Sequence, residues 1–539
     1  MAAHYELLIT GGRIIDGSGN PYYQGDIAIR EGKIAQIRRH IPSDGCKRVI
    51  RADHLVVSPG FIDSHSHDDC YVIVRPTCDD KVLQGVTTCV IGDCGFSMAP
   101  LSLQYKEEMK EALRVMGSRE VPEDFWNVGS FADYLDKVQA KRPGINLVPL
   151  VGHQAVRIAV MGSALRAPTD SELERMKALV ADALESGAFG FSTGLIYAPG
   201  SYAKTEEIIA LAKVTTPFGG IYASHLRSEG DFQSSALEEA FRIGKEANVP
   251  VHIAHHKVVG KNNWGQSRET LRMIAAARAQ GIQVTCDQYP YNAGSTYLAS
   301  VLPPQILAGG EALYCQRLQD RSTRQAIIEE IEGRKGKETI WDNWIKAAGF
   351  KGIVIALSPN HPNYVGKSIA DIAQMENKNP YDVVFDLIAE EKKATAMIIF
   401  VMDEGDIERI MKSPFTMVGT DGIPGFGVNQ IHPRQTSTFP RVLGRYCREK
   451  GVLSLEDTIR KMTSLPAQTF QLKQKGLLRE GNDADLAIFD PQTIIDRATF
   501  EDSKQPPEGI HYVVVNGEIA VEHGKVTGAT SGKVLRRKN

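Results

Sequence analysis

No stretch of the chain approaches the run of about 20 apolar residues that a membrane-spanning helix needs. The opening MAAHYELLITGG lacks a basic segment followed by an apolar one, so it does not read as a secretory leader. Charge of one sign is lacking too. The 62 Lys and Arg against 65 Asp and Glu leave a net charge of −3, which gives no electrostatic footprint for nucleic acid or an anionic membrane. The one notable basic run, the closing LRRKN, reads as a solvated tail. Cysteine is sparse: eight residues, scattered singly, with no CxxC and no paired framework. That excludes a disulfide scaffold and favours a reducing compartment, with each thiol buried or acting as a ligand. A cytoplasmic protein acting on a small molecule is the expectation.

Histidine is also scarce, with 14 in 539 residues, yet two fall in one short stretch, SPGFIDSHSHDD, from Ser58 to Asp69. In an extended segment positions i and i+2 face the same side, so His65 and His67 would point together. Two imidazoles aimed at one point resemble half a metal site. A lone HxH is also a common accident, and the rest of the chain has to decide.

At this length two to four domains are expected. Residues 1–56 read as short strands with tight turns, as do residues 471–539, so one small β-sandwich domain built from both termini is expected. Between them, apolar runs alternate with helical stretches such as SELERMKALVADALESG. Eight runs qualify as strands: LVVSPGFID, TTCVIGD, INLVPLVG, GAFGFST, GIYASH, VPVHIAH, IQVTCDQ and FTMVGTD. Strands apolar on both faces that alternate with helices indicate a parallel sheet, and eight of them fit an α/β fold, the (β/α)8 TIM-like barrel. Seven fall within 57–295 and the last within 376–470. The gap before the last strand is too long for one crossover helix, so an inserted subdomain over 296–375 is expected.

Chemistry in such a barrel sits at the C-terminal ends of the strands. Five ends carry metal-ligand types: His65 and His67, then Cys94, His225, His255 with His256 and Lys257, and finally Asp421. Taken singly, each has a plain alternative. Cys94 could be a small buried hydrophobe. His225 and His255 could be core histidines bonded to backbone, and Asp421 could cap a turn. Together they point to a metal site, with Asp421 placed as a general base. His256 would face away from His255, and His252 inside its strand reads as structural. Asp63 could orient a metal-facing histidine or cap the strand end. Asp68 and Asp69 are equally well read as an exposed acidic loop, and Asp403 as a helix N-cap.

The motifs HSHDD, GDCGFS, ASHLRSE, AHHKVVGKNNWG, CDQYPYNAGST, VGTDGIPG and HPR…TFPRVLG, in this order, resemble those of the N-acyl-D-amino-acid deacylases (D-aminoacylases) of the amidohydrolase superfamily. The resemblance covers most of the chain. It implies a zinc enzyme that hydrolyses the amide of N-acyl-D-amino acids to a carboxylate and a free D-amino acid. Cys94, His225 and His255 would hold the main zinc. His65 and His67, sharing Cys94, would form a second, weaker metal position. Asp421 would be the acid/base, and Lys257, Tyr289 and Arg434 would bind the substrate carboxylate, a task that a guanidinium fork suits. Read without the family, Arg434 is a surface arginine and Tyr289 a core aromatic. Dihydroorotases and hydantoinases bridge two metals with a carboxylated lysine at the end of strand 4. Here that region reads FGFSTGLIYAPG, without a lysine, and Cys94 would replace the bridge. This argues against the runner-up reading, a cyclic-amide hydrolase. A non-catalytic scaffold, the remaining alternative, should be missing ligands. Trp264 could wall the substrate pocket or serve packing alone.

Overall fold

The computed structural model describes residues 5–333, 340–425 and 432–537. Eight parallel strands form the barrel: β1 (Phe61–Asp63), β2 (Val86–Ile91), β3 (Asn146–Pro149), β4 (Gly190–Gly194), β5 (Ile221–His225), β6 (Val251–Ile253), β7 (Val284–Gln288) and β8 (Thr416–Val418). Each of the eight expected runs supplies one. β3 pairs with β2, and its continuation Val151–Gly152 pairs with β4. The ring closes where the chain beyond β1 bridges the chain beyond β8 at Ser66 and Gly422. Almost every strand residue is buried, which is why these segments read as apolar on both faces.

Between the strands, helices cover the outside. The helix Asp170–Glu185 begins with a capping box made by Thr169 and Glu172, and buries Met176, Val180, Ala183 and Leu184. That side chains three or four apart line one face explains the burial. No helix among the described residues is long and apolar enough to cross a membrane.

Both ends of the chain build a separate nine-stranded sheet with its own apolar core. The join is Val56–Pro59, which pairs antiparallel with Leu486–Phe489. The sequence reads LVVSPGFID as one strand, but it is two: Val56–Pro59 belongs to the terminal sheet and β1 to the barrel. Gly60 makes the break. A Cβ there would lie 2.3 Å from the Thr87 side chain, so only glycine lets the chain pass so close to β2.

After β7 the chain builds a three-stranded antiparallel sheet, with Ala396–Phe400 between Ala293–Tyr297 and Ile353–Leu357. Its strands come from 293–400, a wider span than 296–375, because the central strand is contributed last. The closing residues also differ from expectation. Leu535 and Arg537 donate backbone hydrogen bonds to Leu147 and Gly187, and Arg536 pairs with Asp136 at 2.6 Å. This tail packs on the barrel; Lys538 and Asn539 lie outside the described residues.

Candidate metal centre

Strand ends aim the functional groups inward. Beyond β2 the chain turns at Gly92, where a Cβ would meet the Leu150 carbonyl at 2.2 Å, and places Cys94 inside the barrel mouth. His225 is the last residue of β5, His255 follows β6, and Asp421 follows β8. Cys94, His255 and Asp421 all adopt left-handed backbone, with φ of 52°, 37° and 46°. Each costs about 1 kcal/mol or more for a residue with a side chain, and such strain collects where geometry serves function.

The residues converge on one sulfur. Cys94 Sγ lies 3.3 Å from His255 Nε2, 3.7 Å from His225 Nδ1 and 3.4 Å from His65 Nε2. A tetrahedral zinc with metal–sulfur about 2.3 Å and metal–nitrogen about 2.0 Å sets sulfur–nitrogen contacts near about 3.5 Å. Asp421 Oδ1 closes the group at 3.2 Å from His67 Nε2 and 3.5 Å from His65 Nε2. All six residues are buried.

The far nitrogens of three imidazoles face carboxylates, and that of His255 also has the Lys257 ammonium at 2.7 Å. A cation held by one ring nitrogen leaves the proton on the other, which then seeks an acceptor. His255 Nδ1 has Glu229 Oε1 at 3.0 Å, and His225 Nε2 has Glu229 Oε2 at 3.6 Å. His65 Nδ1 has Asp287 Oδ2 at 3.4 Å. One carboxylate thus stands behind two histidines and a second behind another. The two longer approaches are not hydrogen bonds: His65 Nδ1 and His225 Nε2, like His67 Nδ1, are buried with no hydrogen-bond partner. A thiolate with imidazoles is a soft, nitrogen-rich donor set that suits zinc better than magnesium or calcium.

Electrostatics agree for two of the imidazoles and not for His65, where burial is outweighed by Asp93, Cys94 and Asp287, which push it well above the usual range. Burial, then the charge of Lys257, holds His255 well below the usual imidazole range; burial holds His225 low as well, so both are neutral donors at neutral pH. Burial pushes the Cys94 thiol up to about 12, which a bound cation would reverse. Burial would raise Asp421, but the Arg434 guanidinium and the hydrogen bond with His67 outweigh it and keep the carboxylate ionised.

Beside this cluster lies a narrow cleft of about 30 Å³, lined by Lys257, Tyr289, Arg434, Asp421, Tyr197 and Trp344 among others. Lys257 Nζ sits 2.5 Å from Glu229 and 2.7 Å from His255 Nδ1. Arg434 reaches Asp421 Oδ2 at 2.7 Å and donates to the Ser295 carbonyl at 3.0 Å. The Tyr289 ring lies between these two cations, 4.5 Å from Arg434 and 5.5 Å from Lys257. No lysine stands on β4; Ser192 there accepts a hydrogen bond from Gly95 N.

Several sequence expectations change. Asp63 does not orient an imidazole. It accepts from the backbone of His65 and Thr420 and pairs with Lys81 at 2.8 Å. Asp68 and Asp69 are not an exposed loop: Asp68 pairs with Lys81 at 3.1 Å, and Asp69, pushed up to about 8 by burial, accepts from Gly92 N. The readings of His252 as structural and His256 as facing away do not change: His252 bonds Thr285 and Asp287, and His256 bonds Thr270. Trp264 is 40% exposed, bonded to the Val401 carbonyl and outside the cleft. Asp403 caps its helix as expected. Glu229, Asp287 and Lys81 escaped notice. Asp287 is the penultimate residue of β7 and answers to the same strand-end rule; Glu229 lies in a loop and Lys81 in a short helix, without a local pattern.

A (β/α)8 barrel carrying histidines, a cysteine and an aspartate at its strand ends, with a split terminal β-domain, defines a metal-dependent amidohydrolase. The amidohydrolase family model matches residues 48–304 and 369–521. D-aminoacylase of Alcaligenes xylosoxydans xylosoxydans is 40% identical over 99% of this chain and 98% of that one; N-acyl-D-aspartate deacylase of the same organism is 38% identical over 99% and 95%. The crystal structure of N-acyl-D-glutamate deacylase from Bordetella bronchiseptica, complexed with zinc and a phosphonate mimic of the tetrahedral intermediate, superposes with a TM-score of 0.83 at 34% identity, covering 99% of this chain and 100% of that one. The chain belongs to the N-acyl-D-amino-acid deacylase (D-aminoacylase) family, and it is an amidohydrolase of linear amides.

Proposed function

We propose that this protein hydrolyses N-acyl-D-amino acids to a carboxylate and a free D-amino acid, with zinc held by Cys94, His225 and His255 and a second, weaker metal position at His65 and His67 sharing Cys94. The observation that carries the reading is the approach of two imidazoles to within 3.7 Å of the Cys94 sulfur, with the Asp421 carboxylate beside them. Bound there, zinc would supply Lewis acidity to the amide carbonyl and lower the pKa of water. Asp421, ionised and buried, takes the proton of the attacking water and returns it to the departing nitrogen. Lys257, Tyr289 and Arg434 clasp the substrate carboxylate. A carboxylate that takes part of the Arg434 fork relieves its pull on Asp421 and makes that group a better base.

Support for the side-chain class comes from the cleft. Its only cations among the described residues are Lys257 and Arg434, both committed to the clasp, while Trp344, Ile399 and Val401 form an apolar wall. An acidic side chain would need a third cation, so a neutral, apolar D-amino acid fits better. A panel of N-acetyl-D-amino acids with L-enantiomers as controls tests this. Hydrolysis should favour D-leucine, D-methionine or D-phenylalanine derivatives; preference for D-glutamate or D-aspartate derivatives, or for any L-form, contradicts it.

A further inference from the structure

Under the metal centre, ligand-type atoms of Asp63, Asp68 and Cys89 lie within 4.8 Å of one another. The cation in their midst belongs to the chain. Lys81, fully buried on the short helix Asp79–Val82, sends Nζ to Asp63 Oδ2 at 2.8 Å, Asp68 Oδ2 at 3.1 Å and Thr420 Oγ1 at 2.9 Å. Burial alone would strip its proton, but Asp63 and then Asp68 hold it on, and burial keeps the nearby Cys89 a neutral thiol. A lysine with 0% exposure and two carboxylate partners is costly to build and has no role in the chemistry described so far.

Its partners show where it acts. Thr420 donates its hydroxyl to Asp63 Oδ2 at 2.7 Å and its N–H to Asp63 Oδ1 at 2.8 Å, while accepting from Lys81. The next residue is Asp421, whose N–H donates to the His65 carbonyl at 2.9 Å. Asp63 Oδ1 also receives the His65 N–H at 3.3 Å. Asp68, the other partner, accepts from Gln435 beside Arg434 at 3.2 Å. One ammonium therefore ties together the chain beyond β1, the chain beyond β8 and the helix Arg434–Arg441.

We infer that Lys81 is a positioning residue for amide hydrolysis: a fixed internal cation that clamps the ends of β1 and β8 and so aims the Asp421 carboxylate at the space beside His65 and His67. It touches neither substrate nor metal, and its role rests on the reading of Asp421 as the proton carrier. A carboxylate displaced by about 1 Å loses on the order of a hundredfold in rate.

The test uses the zinc-loaded full chain and compares Lys81→Met, Thr420→Val and Asp421→Asn. Thr420→Val keeps the volume and removes the hydroxyl that bonds both Lys81 and Asp63 Oδ2, leaving only the main-chain bond to Asp63 Oδ1, so it tests the clamp should Lys81→Met fail to fold. The expected result is a fall in kcat of about tenfold to a hundredfold with KM within about twofold, and zinc content equal to the parent. Parental kcat in either folded variant overturns the inference. So does a fall in kcat matched by raised KM and lost zinc, which marks general loosening. An active Asp421→Asn defeats the reading of Asp421 itself; an inactive one beside an unimpaired Thr420→Val defeats only the role of Lys81.

Discussion

Replacing Glu229 by glutamine probes the least expected member of the site. The change keeps the shape but removes the charge that faces Lys257 at 2.5 Å, His255 Nδ1 at 3.0 Å and His225 Nε2 at 3.6 Å. Loss of a carboxylate behind one metal-binding histidine costs roughly 10- to 100-fold in metal affinity. Of the two imidazoles, Glu229 is within hydrogen-bond distance of His255 alone, so the expected loss lies within that range, about 10- to 100-fold or ~1.4–2.7 kcal/mol. Folding stability should fall as well, because Lys257 loses its buried counter-charge; removing one partner of such a pair costs about 3–5 kcal/mol, less where glutamine still accepts a hydrogen bond. Competition for zinc against a chelator of known affinity reads the first effect and denaturant unfolding the second. Glu391→Gln is the control: that carboxylate is equally buried and bonds Ser358 and Thr395 in the insertion rather than any residue of the cluster. It should lose stability and keep zinc affinity. Zinc binding by Glu229→Gln within twofold of the parent would refute the reasoning.

Asp421→Asn should lower kcat by about 10²- to 10⁴-fold, with zinc content by metal analysis unchanged; metal loss in proportion to activity would recast Asp421 as a ligand. Arg434→Met should raise KM for a carboxylate substrate by about 10- to 100-fold, while the corresponding carboxamide, already without the charge, is weakened far less. Equal effects on both substrates would remove Arg434 from the clasp. Burial pushes Asp342 up to about 6, against the hydrogen bonds from Ser228 and Glu229 N. With the folded pKa raised, the protonated form's contribution is complete below about pH 4 and is lost as pH rises through about 6, worth up to about 3 kcal/mol. Asp342→Asn cannot ionise, so its stability relative to the parent should climb between those limits and then level off. A difference that is flat with pH would contradict the assignment.

Much of this architecture is written locally. The eight barrel strands are short apolar runs set off by glycine and proline, and burial on both faces leaves that mark in the sequence itself. The break at Gly60 is not local: it depends on Thr87, which arrives from the neighbouring strand. The same division holds at the site. His65, His67, Cys94, His225, His255 and Asp421 were legible because each follows an apolar run, and barrel geometry brings such ends together. Asp287 obeys the same rule and could have been read by it. Glu229 sits four residues past His225 in a loop without periodicity. Lys81 reads as a surface lysine of a charged segment, and only folding reveals the carboxylates that surround it. Asp68 and Asp69 misled for the same reason, since a pair of acids beside a strand end looks solvated until its partners are known.

The central claim is that Cys94, His225 and His255 share one cation, and X-ray absorption at the zinc edge tests it most directly. The zinc-loaded protein should show one sulfur neighbour at about 2.3 Å and nitrogen neighbours at about 2.0–2.1 Å, with the sulfur signal gone in Cys94→Ser. A coordination sphere of nitrogen and oxygen alone in the parent, or a sulfur signal that survives Cys94→Ser, would contradict the account.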